Sequence, residues 1–142
     1  MKNSKDILSS ILKTTQMGQV GIRSVMKVAV RTEMKEALQS QLSEYDAIER
    51  EAFAIASSRG WEPETLDPAV KGMAAAMTKM KLQGRDSDSN IAAMMINGNT
   101  RGLIKSLKNM HRFTGSDARV ATLAQKLLDC ERANVAQMEG FL

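Results

Sequence analysis

The 142-residue chain has one cysteine, one histidine, two prolines and only 4% aromatic residues, and each shortage closes off a class of protein. A lone Cys130 rules out an intrachain disulfide framework. A lone His111 rules out a multi-histidine metal site built from one chain. Pro63 and Pro68 fall in one short stretch, so the remainder is free of the residue that breaks helices. Few aromatic rings leave no platform on which unpaired bases would stack. A net charge of +4, from 20 Lys and Arg against 16 Asp and Glu, is far below that of a basic nucleic-acid arm. Both observations argue against nucleic acid as a partner. No stretch approaches the roughly 18 apolar residues that cross a bilayer. The opening residues Met1-Lys2-Asn3-Ser4-Lys5-Asp6 lead into an amphipathic segment containing Lys13 and not into a signal-peptide core. The expectation is one cytoplasmic domain over residues 1–142, without membrane contact.

What the sequence has in quantity is Ala, Met, Leu, Lys, Gln and Glu, the residues of helices. The β-branched and aromatic residues of sheets are sparse, so the fold class is all-α. Apolar residues recurring every three or four positions predict a helix over 4–29, with Ile7, Leu8, Ile11, Leu12, Thr15, Gly18, Ile22, Val25, Met26 and Ala29 on one face. Asn3 or Ser4 would cap it. A second helix over 33–58 has Met34, Leu38, Leu42, Tyr45, Ile48, Ala52 and Ile55 inward, Thr32 as N-cap and Gly60 as terminator. No Gly or Pro divides the two, so one unbroken helix over 4–58 is the competing reading. Thr32 followed by Glu33 and Glu36 favours a restart.

Asp67-Pro68 has the form of an N-cap followed by an N1 proline and predicts a shorter helix over 68–83, ended by Gly84. Its Met73, Met77 and Met80 stripe reads as core. Asp86-Ser87-Asp88-Ser89 offers caps for a helix over 88–113, and Thr114-Gly115-Ser116-Asp117 separates that from a helix over 117–140. Short turns therefore join the four long helices into two antiparallel hairpins. The long connection between hairpins suits a crossover that travels the length of the bundle.

Along the seams each long helix places an amide or carboxylate among apolar neighbours: Gln19, Gln41, Asn99, and Glu131 with Asn134. Buried polar groups are costly unless paired, so this layer is expected to bond within itself and fix helix register. A metal or small-ligand site at the bundle centre is the alternative. Arg101, Lys105, Lys108 and Arg112 form a basic stripe, read as a solvated outer face that the acidic run Glu44, Asp46, Glu49 and Glu51 would answer. Gly18, Gly21, Gly98 and Gly102 read as a close crossing of the 4–29 and 88–113 helices. Cys130 reads as a small buried filler and not a nucleophile.

Two hairpins and a long crossover, with Gly18-Gln19-Val20-Gly21-Ile22, Ala56-Ser57-Ser58-Arg59-Gly60-Trp61 and Ile96-Asn97-Gly98-Asn99-Thr100-Arg101-Gly102-Leu103-Ile104 as local cues, resemble the ferritin-like superfamily. The nearer resemblance is to uncharacterised ferritin-like four-helix bundles of bacteria. It implies a four-helix bundle whose B–C crossover holds a short extra helix. In that superfamily a di-iron centre takes one Glu from each of two helices and Glu-x-x-His from each of the other two. Here no Glu-x-x-His exists, since Glu44 is followed three positions on by Ala47 and Glu131 by Asn134. No cofactor is therefore expected.

No Ser, His and Asp set or phosphate-cradling loop can be assembled either, so the expected role is non-enzymatic: interaction, structural or stress-related. The alternatives are a divergent metal or small-ligand protein using the inner polar residues and, third, a weak nucleic-acid or anion binder through the basic stripe. A wide apolar arc on the 88–113 helix predicts a homodimer with Met94 and Met95 at its edge, and leaves room for another protein partner.

Overall fold

The computed structural model describes residues 2–82 and 87–142. Five helices occur among them: α1 (Ser4–Met26), α2 (Thr32–Arg59), α3 (Pro68–Leu82), α4 (Asp88–Arg112) and α5 (Ala118–Glu139). The described residues contain no strand, only an isolated parallel bridge between Lys2 and Phe113. The expected ends of the 68–83 helix at Gly84, and of the cap run at Asp86, lie outside the described residues.

α1 begins with a reciprocal capping box in which the Asn3 side chain accepts from the Asp6 N–H and the Asp6 carboxylate accepts from the Asn3 N–H. α1 and α2 are separate helices, which removes the unbroken-rod reading. Their junction is not made by Thr32, which is the first residue inside α2. The N-cap is Arg31, with no side-chain cap bond. Instead Asp88, at the start of α4, accepts the Val30 and Arg31 N–H groups at 2.9 Å each. A carboxylate at a helix start satisfies orphan donors and suits the helix dipole. Here it comes from 57 and 58 residues away, which is why local sequence gave no sign of it.

α2 ends at Gly60, whose φ of 68° is the left-handed conformation that favours glycine. Residues 61–67 then lie along α1. Ser9 Oγ accepts the Glu64 N–H, Gln16 Oε1 accepts the Leu66 N–H, and Lys13 pairs with Glu64 at 2.6 Å. These ties deliver α3 onto α1, its main packing partner.

Side-chain pairs set the direction of every helix. Asn109 meets Ser10 while Asp88 meets Val30, so α1 and α4 are antiparallel. Gln41 meets Gln137 and Arg59 meets Asp117, so α2 and α5 are antiparallel as well. With two antiparallel hairpins, α2 and α4 then run the same way, and the chain between them must travel the length of the bundle. α3 does so.

The core is a single cluster drawn from α1, α2, α4 and α5, with Leu8, Leu12, Ile22, Leu38, Ile48, Ile55, Ile91, Leu127 and Met138 buried in it. Each such side chain contributes roughly 1.5–3 kcal/mol. α3 adds only Leu82. Its Val70, Met73, Met77 and Met80 are exposed, so the methionine stripe is not core. α1 already spends its apolar face on α2, α4 and α5, and α3 rides on the polar shoulder that remains.

Candidate functional site

Tyr45 of α2 is the hub of the interior. Its hydroxyl lies 2.9 Å from Asn99 Oδ1 of α4 and 3.0 Å from Glu131 Oε1 of α5, and it accepts from Asn134 Nδ2 at 3.4 Å. All four side chains are buried. Two helical glycines admit this cluster. A Cβ on Gly18 would come within 2.7 Å of the Tyr45 ring, and one on Gly102 within 3.0 Å of the Glu131 carboxyl.

A hydroxyl carries one proton and cannot donate to two acceptors. The geometry is satisfied when Glu131 carries a proton and donates it to the Tyr45 oxygen, while Tyr45 donates to Asn99. Burial supports that arrangement, because it pushes the Glu131 carboxyl up to about 7, against a smaller opposing effect of the Tyr45 hydrogen bond. Burial above all, then the neighbouring Glu131 and Cys130, raise Tyr45 far above the usual phenol range. Tyr45 is therefore a neutral donor. The Cys130 thiol is also pushed up, by burial and then by the Glu44 carboxylate 3.2 Å away. A thiol held protonated is a poor nucleophile.

Two polar atoms of this cluster have no hydrogen-bond partner among the described residues: Asn99 Nδ2 and Glu131 Oε2. Both residues, with Tyr45, line a cavity of about 1060 Å³ between α1, α3 and α4. Met17, Val25, Met77, Leu82, Met94 and Met95 supply apolar wall, and Lys13, Lys81, Arg101 and Lys105 supply cations. Gly21 and Gly98 also line it, and a Cβ on either would meet nothing within 4 Å. The expected close crossing of α1 and α4 at these glycines is thus reversed. Gly18 and Gly102 make room for side chains of α2 and α5, whereas Gly21 and Gly98 face open space.

Of the five polar residues singled out from sequence, Asn99, Glu131 and Asn134 meet at Tyr45. Gln19 and Gln41 are buried but belong elsewhere. Gln19 donates to Asp46 at 2.9 Å and Glu49 at 3.3 Å in the α1–α2 seam, and Gln41 donates to Gln137 at 2.8 Å. In the sequence Tyr45 stands as one more residue of the apolar seam, and the pattern does not mark it as the hub. Its signal was a phenol at a core position, where the hydroxyl needs a partner.

The basic stripe divides. All four residues are exposed, but Arg101 and Lys105 line the cavity and Lys108 and Arg112 do not. Within the chain the acidic run does not answer it: Asp46 meets Gln19 and Arg23, Glu49 meets Gln16 and Gln19, Glu51 meets Arg119, and Glu44 meets Cys130. Met95 is buried in the chain's own core, and Met94 is half-buried and lines the cavity. His111 is exposed. Among the described residues no three of His, Cys, Asp and Glu are grouped to hold a metal ion, and no helix is long and apolar enough to cross a membrane.

No protein-family profile matches the sequence, and no curated protein matches it. Among solved structures, the chain is similar to the crystal structure of a DUF305 fragment from Deinococcus radiodurans, with a TM-score of 0.73 and 13% identity over 96% of this chain and 93% of that one. At that identity the likeness speaks for the fold alone. The chain has the all-helical fold of a fragment from an uncharacterised family.

Proposed function

We propose that this protein is a ferritin-like bundle without a di-iron centre that binds a small organic molecule in the cavity between α1, α3 and α4, without catalysing a reaction on it. One observation carries the reading. Asn99 and Glu131 line a cavity of about 1060 Å³ while each keeps a buried polar atom without a partner. Unpaired buried polar atoms cost about 1–3 kcal/mol apiece. Small-molecule sites have this form, a largely apolar hollow with a few convergent polar groups, and occupy a few hundred to about 1,000 Å³. The absence of an activated nucleophile or a metal-ligand set among the described residues favours binding over catalysis.

N-phenyl-1-naphthylamine, a neutral dye that brightens in apolar surroundings, tests it. The dye should bind the protein at about one per chain, and Gly98→Leu, which projects a side chain into the cavity from a position where a Cβ meets nothing, should weaken binding several-fold while the helical circular-dichroism signal is kept. Undiminished binding to the filled variant would overturn the assignment.

A second reading, self-association as a homodimer, is favoured by the exposed Val70, Met73 and Met80 on α3. Light scattering decides it: a mass of twice 15.6 kDa that reverts to one chain in Met73→Glu/Met80→Glu.

A further inference from the structure

We infer that the occupant of the cavity is an amphipathic anion, a long-chain carboxylate whose head is held by Arg101 and Lys105 and whose apolar body lies along the groove toward Val25 and Met94. This rests on the small-molecule reading above and adds the chemical class of the ligand.

The charge at the cavity is one-sided. Among the described residues four cations line it, against one carboxyl, that of Glu131. Lys13 is paired with Glu64, but among the described residues Lys81, Arg101 and Lys105 have no carboxylate within ion-pair distance. Burial of part of its side chain, and then the ammonium groups of Lys2 and Lys13, hold the Lys105 pKa below the usual lysine range. A cation in that position gains from an anion close by. Glu131 is a poor counter-ion for these cations, since it is buried, engaged with the Tyr45 hydroxyl at 3.0 Å, and pushed by burial toward its protonated form.

The cations also sit where an amphiphile needs them. Arg101 and Lys105 are four residues apart and so share one face of α4. Antiparallel packing of α1 and α4, with Ser10 against Asn109 and Val30 against Asp88, puts Lys13 at the same end as Lys105. From Lys13 the lining of α1 continues through Met17, Gly18 and Gly21 to Val25, twelve residues or about 18 Å at 1.5 Å each. That is a path long enough for an extended chain of about a dozen carbons. Lys13, Arg101 and Lys105 lie toward one end, the open glycines in the middle and apolar wall beyond, with Lys81 at the close of α3 as the one cation toward the far end. Methionines of α3 and α4 flank it, and their flexible thioethers fit a chain of variable shape. A guanidinium with an adjacent ammonium binds a carboxylate through charge-assisted hydrogen bonds.

Dodecanoate and dodecanol share a tail and differ in the head, so their affinities, measured calorimetrically below the micelle concentration, isolate the charge. Dodecanoate should bind about tenfold more tightly than dodecanol. The ratio should fall to about one in Arg101→Gln/Lys105→Gln and persist in Lys108→Gln/Arg112→Gln, which removes the same net charge outside the cavity. Equal binding of both probes by the unaltered protein would overturn the anion assignment, as would loss of the ratio in both double variants. If the neutral dye binds while dodecanoate gains nothing over dodecanol, the cavity reading stands and the ligand class is wrong. If neither the dye nor either amphiphile binds, both readings fail.

Discussion

α2 and α4 run in the same direction at opposite corners of the bundle, and they bury unlike faces. α2 turns inward Met34, Leu38, Leu42, Ile48, Ala52 and Ile55, with Gln41 and Tyr45 among them. α4 turns inward Asp88, Asn99, Ser106 and Asn109 alongside Ile91, Ala92 and Met95, while Ile96, Leu103 and Leu107 are half-buried and Ile104 is exposed. A helix that shows isoleucine to water while burying asparagine sacrifices hydrophobic stabilisation. What α4 gains is a polar surface toward the cavity and Tyr45. α2 holds the fold together, and α4 builds the candidate site.

The widest separation between the two faces should be in the cost of truncation. Ile48→Ala removes a fully buried side chain from α2 and should lower stability by about 3 kcal/mol in urea unfolding. Ile104→Ala on α4, where the side chain is 48% exposed, should stay within about 0.5 kcal/mol. Comparable losses would mean that α4 packs against something that covers Ile104, such as a second copy.

The next contrast is in pH. Glu131 titrates near 7 in the folded protein and near 4.3 in the unfolded chain. Between those values the native state keeps a proton that the unfolded state has lost. Stability is therefore full below about pH 4, declines as pH rises toward 7, and is flat beyond, with a total loss of up to about 4 kcal/mol. The surrounding groups do not reverse this. Tyr45 and Cys130 stay neutral throughout, Glu44 faces the thiol, and Lys13, Arg101 and Lys105 line the adjoining cavity. Glu131→Gln keeps a neutral donor at the Tyr45 oxygen. It should remove the decline and leave the variant more stable than the parent at pH 8, with little difference at pH 4. A parallel pH dependence in both proteins would show that Glu131 is charged in the native state.

The unequal faces also explain how much was legible in the sequence. Four helices, their approximate ends and the whole inward stripe of α2 follow from apolar periodicity, because in α2 pattern and burial agree. In α4 they disagree. The apolar arc through Ile96, Leu103 and Leu107 is only half-buried, and Ser106 and Asn109, both buried, carry no apolar signal. Asn99, Glu131 and Asn134 were visible as polar interruptions of apolar seams, whereas Gln19 looked identical and sits in another interface. Local pattern marks a polar residue as inward without telling which inward partner it meets. The Asp88 tie to Val30 and Arg31, and the cavity itself, depend on contacts between distant elements, which periodicity does not encode.

The smallest effects fall on the glycines, where the same substitution should change sign within one pair of helices. Gly18→Ala places a methyl 2.7 Å from the Tyr45 ring. That ring is buried and tied at its hydroxyl to Asn99 and Glu131, so it has little freedom to withdraw. Overpacking of this kind costs about 1–3 kcal/mol, more than the helix-propensity gain of roughly 1 kcal/mol from replacing glycine. The net result is a loss. Gly98→Ala keeps the propensity gain with nothing within 4 Å to collide with, and so should stabilise by about 0.5–1 kcal/mol. Paired unfolding curves for the two variants measure the sign directly. A gain at both positions would mean that Tyr45 moves freely and that the cluster is not held, while a loss at both would mean that α1 and α4 close on each other and that no cavity separates them.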